Sequence, residues 1–370
     1  MNTAIRYLTL TLIAIFWIPF VCAQETTTNL ETLVSDGNLY LQQGDCQVAQ
    51  YFFQEALKLD QSLPEGLIGR GRSLACQGNY QLAAEDFRQA IEGNPDIVSA
   101  YVQLSLVYVN QFVADSIRFP NRLRDALTVI EKAEGFAPKS AQVLNTKGVV
   151  LYQLGNLAIA HSTLLEAAER ATNPNSGLKK SEQSRVLVNL ARTYRDKNNL
   201  DLAVSTLRRA IVFDPTNATA RNTLGNVYYR IQPRNCREAQ YELAQAVALA
   251  PNSLSAISQL GIVTFECGSI NTSVHHLEAA VAMDSSVLTP PLYTYLARAY
   301  LAQGNFAEAI KRAQQGALLP PASAEAYYYL GIIYSSRGES DDSAAAKRAF
   351  EKALEIDPEY REAQDALGTL

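Results

Sequence analysis

One feature limits this chain more than any other: it repeats. An alanine, replaced once by serine, recurs at Ala49, Ala83, Ala126, Ala160, Ala203, Ala239, Ser273, Ala309 and Ala346, at spacings of 34, 43, 34, 43, 36, 34, 36 and 37. Four residues after it comes an apolar side chain, as in Phe53, Phe87, Ile130, Leu164, Leu207, Leu243, Leu277 and Phe350, and seven after it another small one. Those offsets lie on one face of a helix. Upstream, a small residue recurs at Gly37, Gly71, Ser105, Gly148, Ala191, Gly225, Gly261, Ala297 and Gly331. Three positions beyond it a tyrosine is common, as in Tyr40, Tyr108, Tyr194, Tyr228, Tyr300 and Tyr334.

Turn signals separate the two patterns within each unit, at Gly44-Asp45, Gly78-Asn79, Gly155-Asn156 and Gly304-Asn305. Many units close on proline: Pro95, Pro138, Pro215, Pro251, Pro321 and Pro358. Each unit reads as an antiparallel helix pair. Its small residues let the two helices cross closely, and neighbours must stack because one pair cannot bury its apolar face alone.

A basic period of 34 with the order small, aromatic, Ala, large apolar, Ala, Pro resembles the tetratricopeptide repeat. The segments Leu-Gly-Asn-Val-Tyr-Tyr at 224–229 and Ala-Leu-Glu-Ile-Asp-Pro at 353–358 carry the resemblance most clearly. Thr264 and Leu74 depart from the tyrosine position, Gln61 and Ser285 from the proline. The expected fold is all-α, a right-handed superhelical solenoid of about nine helix-turn-helix units. Their expected bounds are 30–63, 64–97, 98–140, 141–174, 184–217, 218–253, 254–287, 290–323 and 324–360, with a capping helix over 361–370.

The first 23 residues differ. Arg6 precedes an apolar run from Leu8 to Ile18, Pro19 breaks it, and Val21-Cys22-Ala23 supplies small residues before Gln24. This is the order of a secretory signal peptide, and the run is short of the roughly 20 residues a bilayer span needs. The expectation is export with cleavage, a short lead over 24–29, and a periplasmic or secreted mature chain without stable membrane insertion. An uncleaved N-terminal anchor is the alternative.

Two insertions of nine residues interrupt the period. One, near Gln111–Asn121, carries Phe112, Ile117 and Phe119; the other, near Asn173–Gln183, is polar. Surface loops tolerate such length, so a structural reading is preferred for both. Four cysteines remain after cleavage. Cys46 and Cys236 open second helices, while Cys76 and Cys267 end the first helices of the next units. In a stack of helix pairs those places are adjacent, so Cys46–Cys76 and Cys236–Cys267 are disulfide candidates in an exported chain. Two pairs of buried free thiols are the alternative.

Chemistry is sparse. Only three histidines occur, Cys-x-x-Cys is missing, and so are the phosphate-loop, dinucleotide, nucleophile-elbow and His-Glu-x-x-His motifs. No metal, cofactor or enzyme activity is expected. A formal charge of −5 disfavours nucleic acid, whose affinity comes mostly from neutralised phosphates. In tetratricopeptide proteins the first helices line a concave groove. Positions that the resemblance places there are Arg185, Arg192 and Arg195 in the fifth unit, and Asn222, Asn226, Tyr229 and Arg230 in the next, with Arg72, Arg298 and Tyr328 elsewhere. The family's carboxylate clamp is missing: its lysine positions hold Val34, Ile68, Val102, Asn145 and Val188. The expected function is a protein-interaction scaffold outside the cytoplasm, with an acidic or carboxylate-bearing partner segment and self-association left open. An envelope assembly factor recognising a glycan or carrier complex, or a structural spacer, are the alternatives.

Overall fold

The computed structural model describes residues 30–283 and 289–370. The expected signal peptide, the lead over 24–29, and Ser285 lie outside these. Nineteen helices and no strand occur among the described residues. They follow as α1 (Leu30–Gln43), α2 (Cys46–Leu59), α3 (Pro64–Cys76), α4 (Tyr80–Gly93), α5 (Val98–Ala114), α6 (Arg122–Phe136), α7 (Ala141–Gln153), α8 (Leu157–Ala171), α9 (Lys180–Asp196) and α10 (Leu200–Phe213). Then come α11 (Ala218–Arg230), α12 (Cys236–Leu249), α13 (Leu254–Glu266), α14 (Ile270–Val281), α15 (Pro290–Ala302), α16 (Phe306–Ala317), α17 (Ala324–Arg337), α18 (Asp342–Ile356) and α19 (Arg361–Gly368). Consecutive helices pack as pairs, in the manner of a tetratricopeptide solenoid. The chain divides into two compact units, up to Gln103 and from Leu104.

In the first unit, the fully buried Phe53 ring of α2 lies against Gly37 of α1 and Gly69 of α3. A Cβ on Gly69 would stand 2.1 Å from that ring, and one on Gly37 2.8 Å. Phe87 of α4 fills the same place over Gly71. Asp86 is buried beside it and accepts two hydrogen bonds from Arg70, at 2.6 and 2.9 Å.

The second unit repeats the device with leucine. Leu164 sits on Gly148, Leu243 on Gly225 and Leu277 on Gly261, and Phe350 returns on Gly331. Two serines at repeat positions use their hydroxyls to the same end. Ser105 donates to the Ala126 carbonyl at 3.0 Å, and Ser273 to the Gly261 carbonyl at 2.8 Å, each pinning a first helix to its own second helix.

In three units the recurring tyrosine has a different task, binding its pair to the one before it. Tyr228 accepts from Arg208 of α10 at 2.7 Å, Tyr300 donates to Glu278 of α14 at 2.7 Å, and Tyr334 accepts from Gln314 of α16 at 3.2 Å. All three partners stand five residues after the repeat alanine of the preceding pair. Burial, and then the hydrogen bond to the Glu278 carboxylate, push the Tyr300 phenol up to about 12.

Within the second unit the first helices of successive pairs, α7, α9, α11, α13, α15 and α17, touch one another, while the second helices do so little or not at all. The first helices therefore form the more crowded inner layer. The polar insertion is shorter than the sequence suggests. α9 starts at Lys180, because the Glu182 side chain accepts from the Lys179 N–H at 3.0 Å and caps the helix early. In the other insertion α5 runs on to Ala114, Phe119 lies beneath Arg118 and Arg122, and Ile117 is 93 % exposed.

The short turns within several pairs use a left-handed residue, such as Gly155 at φ 79° and Asn198 at φ 60°. Asn198→Gly is expected to raise the unfolding free energy by about 0.5–1 kcal/mol, seen as a higher urea midpoint, since glycine carries no Cβ penalty there. Gly148→Val is expected to cost about 1–3 kcal/mol by driving a Cβ into Leu164. Urea melts of the two variants beside the parent check both signs.

Candidate functional site

The inner layer of the second unit carries a register. One position beyond the repeat's small residue stand Arg192, Asn226 and Arg298; four beyond it Tyr152, Arg195, Tyr229 and Phe265; five beyond it Asp196, Arg230 and Glu266. Because the first helices lie side by side, these positions form rows across α7, α9, α11, α13 and α15.

The first cluster centres on Asp196. Arg195 donates to both carboxylate oxygens, at 2.8 and 3.2 Å, and Tyr152 donates to one of them. Arg195 also donates to the Tyr152 hydroxyl at 3.3 Å, and an Arg230 nitrogen lies 3.5 Å from the carboxylate. Burial pushes the Asp196 carboxyl up, but the hydrogen bonds from Arg195 and Tyr152 and the two positive charges outweigh it and hold it below the usual carboxylate range. Two of the arginines expected to meet a ligand, Arg195 and Arg230, are thus engaged by a residue of the chain itself. The acidic partner stands next to Arg195 in sequence, and only the packing of α7 and α11 against α9 brings Tyr152 and Arg230 to it.

A second cluster follows on α11 to α17. Arg234 and Arg298 share the Glu266 carboxylate, each at 3.1 Å. Arg234 lies 4.7 Å over the Tyr229 ring, and Arg298 stands 4.9, 4.7 and 4.8 Å from the Phe265, Tyr295 and Tyr329 rings. Sequence reasoning named Tyr229 and Arg298 here but missed Arg234, Glu266 and the aromatic neighbours.

Arg192 differs from both. It stands partly buried between the clusters with no hydrogen bond or ion pair to the described residues, and burial first, then the nearby Arg195 charge, push its pKa down. A guanidinium stays ionised regardless, so this is a disfavoured cation rather than a neutral group. Around it the amides form short links: Asn189 donates to Asn145 at 2.9 Å and Asn226 to the Asn222 carbonyl at 3.0 Å. The Asn222 Oδ1 atom is buried without a hydrogen-bond donor among the described residues. Arg185, two turns earlier on α9, is exposed. In the first unit Arg72 reaches the Asn38 side chain at 3.4 Å.

The cysteines stand in pairs. Cys46 and Cys76 have Cα atoms 6.1 Å apart, Cys236 and Cys267 5.8 Å, both within disulfide range. His161 bonds Thr193 at 2.8 Å, and the amides of Asn217 and Asn271, in Asn-x-Ser/Thr triplets, are engaged by Ser184 and Gln303. Among the described residues no group of three or more His, Cys, Asp or Glu is placed to hold a metal ion, and no helix is long and apolar enough to cross a membrane.

Family models described as tetratricopeptide repeat match residues 36–108 and 296–361, and one described as TPR repeat matches 191–232. These segments are tetratricopeptide repeats. Repeats of this kind are as a rule non-catalytic scaffolds that bind proteins. The chain is 27 % identical over 290 residues to the Protein CTR9 homolog of Arabidopsis thaliana, 64 % of this chain and 26 % of that one. It is 25 % identical over 166 residues to the TPR repeat-containing protein YpiA of Bacillus subtilis, 43 % of this chain and 38 % of that one. The chain therefore spans well under half of either relative's length. Among solved structures, the human IFIT1 dimer with m7Gppp-AAAA shares the fold at a TM-score of 0.61 and 18 % identity, covering 90 % of this chain and 83 % of that one.

Substitutions separate the two kinds of arginine. Arg192→Met is expected to leave thermal stability unchanged or higher, because it removes a partly desolvated cation whose burial and Arg195 repulsion outweigh the pull of Asp196. Arg195→Met is expected to cost on the order of 1 kcal/mol, because it strips Asp196 of its main partner. Asp196 also fixes a pH dependence. Its native pKa lies below the unfolded one, so its contribution is complete above the ordinary carboxylate value of about 4 and fades as pH falls through the lowered native value. Melts from pH 7 to 2 on the parent and Asp196→Asn should converge in acid.

Proposed function

We propose that residues 104–370 present a groove for a partner polypeptide, and that Arg192 anchors an acidic side chain or chain-terminal carboxylate of that partner. The observation that carries this is the partly buried Arg192 guanidinium, which makes no direct ion pair with the described residues and feels Asp196 only at a distance, on a face where Arg195, Arg230, Arg234 and Arg298 are all paired. A carboxylate arriving there gains a desolvated, bidentate partner and relieves the unfavourable cation. A run of phosphates is a poorer match, because most inner-face charge is already neutralised within the chain and the whole carries −5. The neighbouring amides of Asn189, Asn222 and Asn226 suit a peptide backbone, which offers donors and acceptors alternately.

The setting proposed is outside the cytoplasm, supported by the signal-like first 23 residues and by two cysteine pairs at disulfide distance. Oxidised, each pair closes a loop of about 30 residues, worth roughly 3–4 kcal/mol in the chain-entropy model. Peptide mapping of the exported protein without reductant should show Cys46–Cys76 and Cys236–Cys267 linked; four free thiols would remove the disulfides.

Cross-linking capture on immobilised residues 24–370 tests the groove. A partner joined to α9 or α11 and lost at least tenfold with Arg192→Glu, but retained with Arg185→Glu, is the expected result. A partner indifferent to Arg192→Glu, or none, would point to a spacer or to binding through other surfaces.

A further inference from the structure

The inner layer ends in a group of tyrosines that neither the fold nor Arg192 accounts for. Tyr328 and Tyr329 of α17 and Tyr360, which precedes α19, are partly exposed, and their rings meet at steep angles. The Tyr328 centroid is 5.1 Å from Tyr329 at 66° and 5.4 Å from Tyr360 at 65°, so the rings stand as walls rather than as one stack. Tyr328 is backed by Phe350 at 5.9 Å. No phenol of the three takes a hydrogen bond from the described residues. Two carboxylates are near enough for their charge to act on the phenols, Glu325 on Tyr329 and Tyr360, and Glu362 on Tyr328 and Tyr360. Neither forms an ion pair, and among the described residues no Lys or Arg lies over Tyr328 or Tyr360.

The same protein shows, one step along, what this combination holds. Arg298 lies among Phe265, Tyr295 and Tyr329, all within 5 Å, with its charge met by Glu266. Tyr329 is common to the two groups. A planar guanidinium stacks on ring faces and offers its edge to a carboxylate, and it is more weakly hydrated than an ammonium. We infer that Tyr328, Tyr329 and Tyr360, with Glu325 and Glu362, form a binding site for an arginine side chain of a partner polypeptide. This rests on the reading of the inner face as a polypeptide groove and adds a charge to it: the partner that meets Arg192 with an acid also carries an arginine toward the α17–α19 end.

Burial, assisted by the two glutamates, pushes the Tyr360 phenol up to about 12, so the rings remain neutral and electron-rich throughout the physiological range.

The test uses residues 24–370 with 13C-labelled tyrosine rings, assigned through Tyr328→Phe and Tyr360→Phe, and N-acetyl-arginine-N-methylamide as probe. Saturable shifts of the Tyr328 and Tyr360 resonances in the millimolar range are expected. The neutral citrulline analogue should bind at least about threefold more weakly, as should arginine to Glu325→Gln/Glu362→Gln, whose circular dichroism should match the parent. Equal shifts with citrulline, insensitivity to the double substitution, or no shift would overturn the site. Tighter binding of tetramethylammonium than of the arginine probe would overturn the assignment to guanidinium. Loss of partner capture by Arg192→Glu with no arginine response at these rings would leave the groove standing and remove only this site. A response at the rings with no Arg192-dependent partner would keep the cation site and overturn its place in that groove.

Discussion

Everything in this protein depends on how closely two helices can approach when one offers a glycine and the other a large side chain. Gly69, Gly148, Gly225, Gly261 and Gly331 leave spaces that Phe53, Leu164, Leu243, Leu277 and Phe350 fill, so any Cβ there would overlap its neighbour. Such a contact joins only two or three helices, and the apolar face beyond it stays open until another pair covers it. Within each unit stability is therefore local and additive.

That arrangement divides labour within each first helix. The small position and the tyrosine three residues on belong to stacking: Tyr228, Tyr300 and Tyr334 each bond back to the same point of the preceding pair. Positions one, four and five residues beyond the small one are free of that duty and face the inner layer. There the chain neutralises most of its own charge, with Asp196 holding Arg195 and Arg230, and Glu266 holding Arg234 and Arg298. Arg192, Glu325 and Glu362 are left outside these ion pairs, and the polypeptide groove and the arginine site proposed above rest on them.

Much of the architecture was legible in the residues. The alanine and glycine periods disclosed the pairs, the Gly-Asp and Gly-Asn turns separated their helices, and Cys46, Cys76, Cys236 and Cys267 repeated one geometry at separations of 30 and 31. Less of the site was legible. Arg192 and Arg195 look alike in sequence, three residues apart on one helix face, yet one is disfavoured and the other held by two hydrogen bonds to Asp196. The early start of α9 also escaped, because it depends on a side-chain cap at Glu182 within a segment whose composition reads as loop.

Sequence by itself determined the repeat unit, since helical period, small-residue spacing and turn chemistry are local properties that each segment carries with it. Tertiary structure alone decided which charges meet. An ion pair across α7, α9 and α11, or a ring group assembled from α17 and the approach to α19, requires side chains from different repeats to converge. Their distances follow from the angle and rise between successive helix pairs, which no single period encodes.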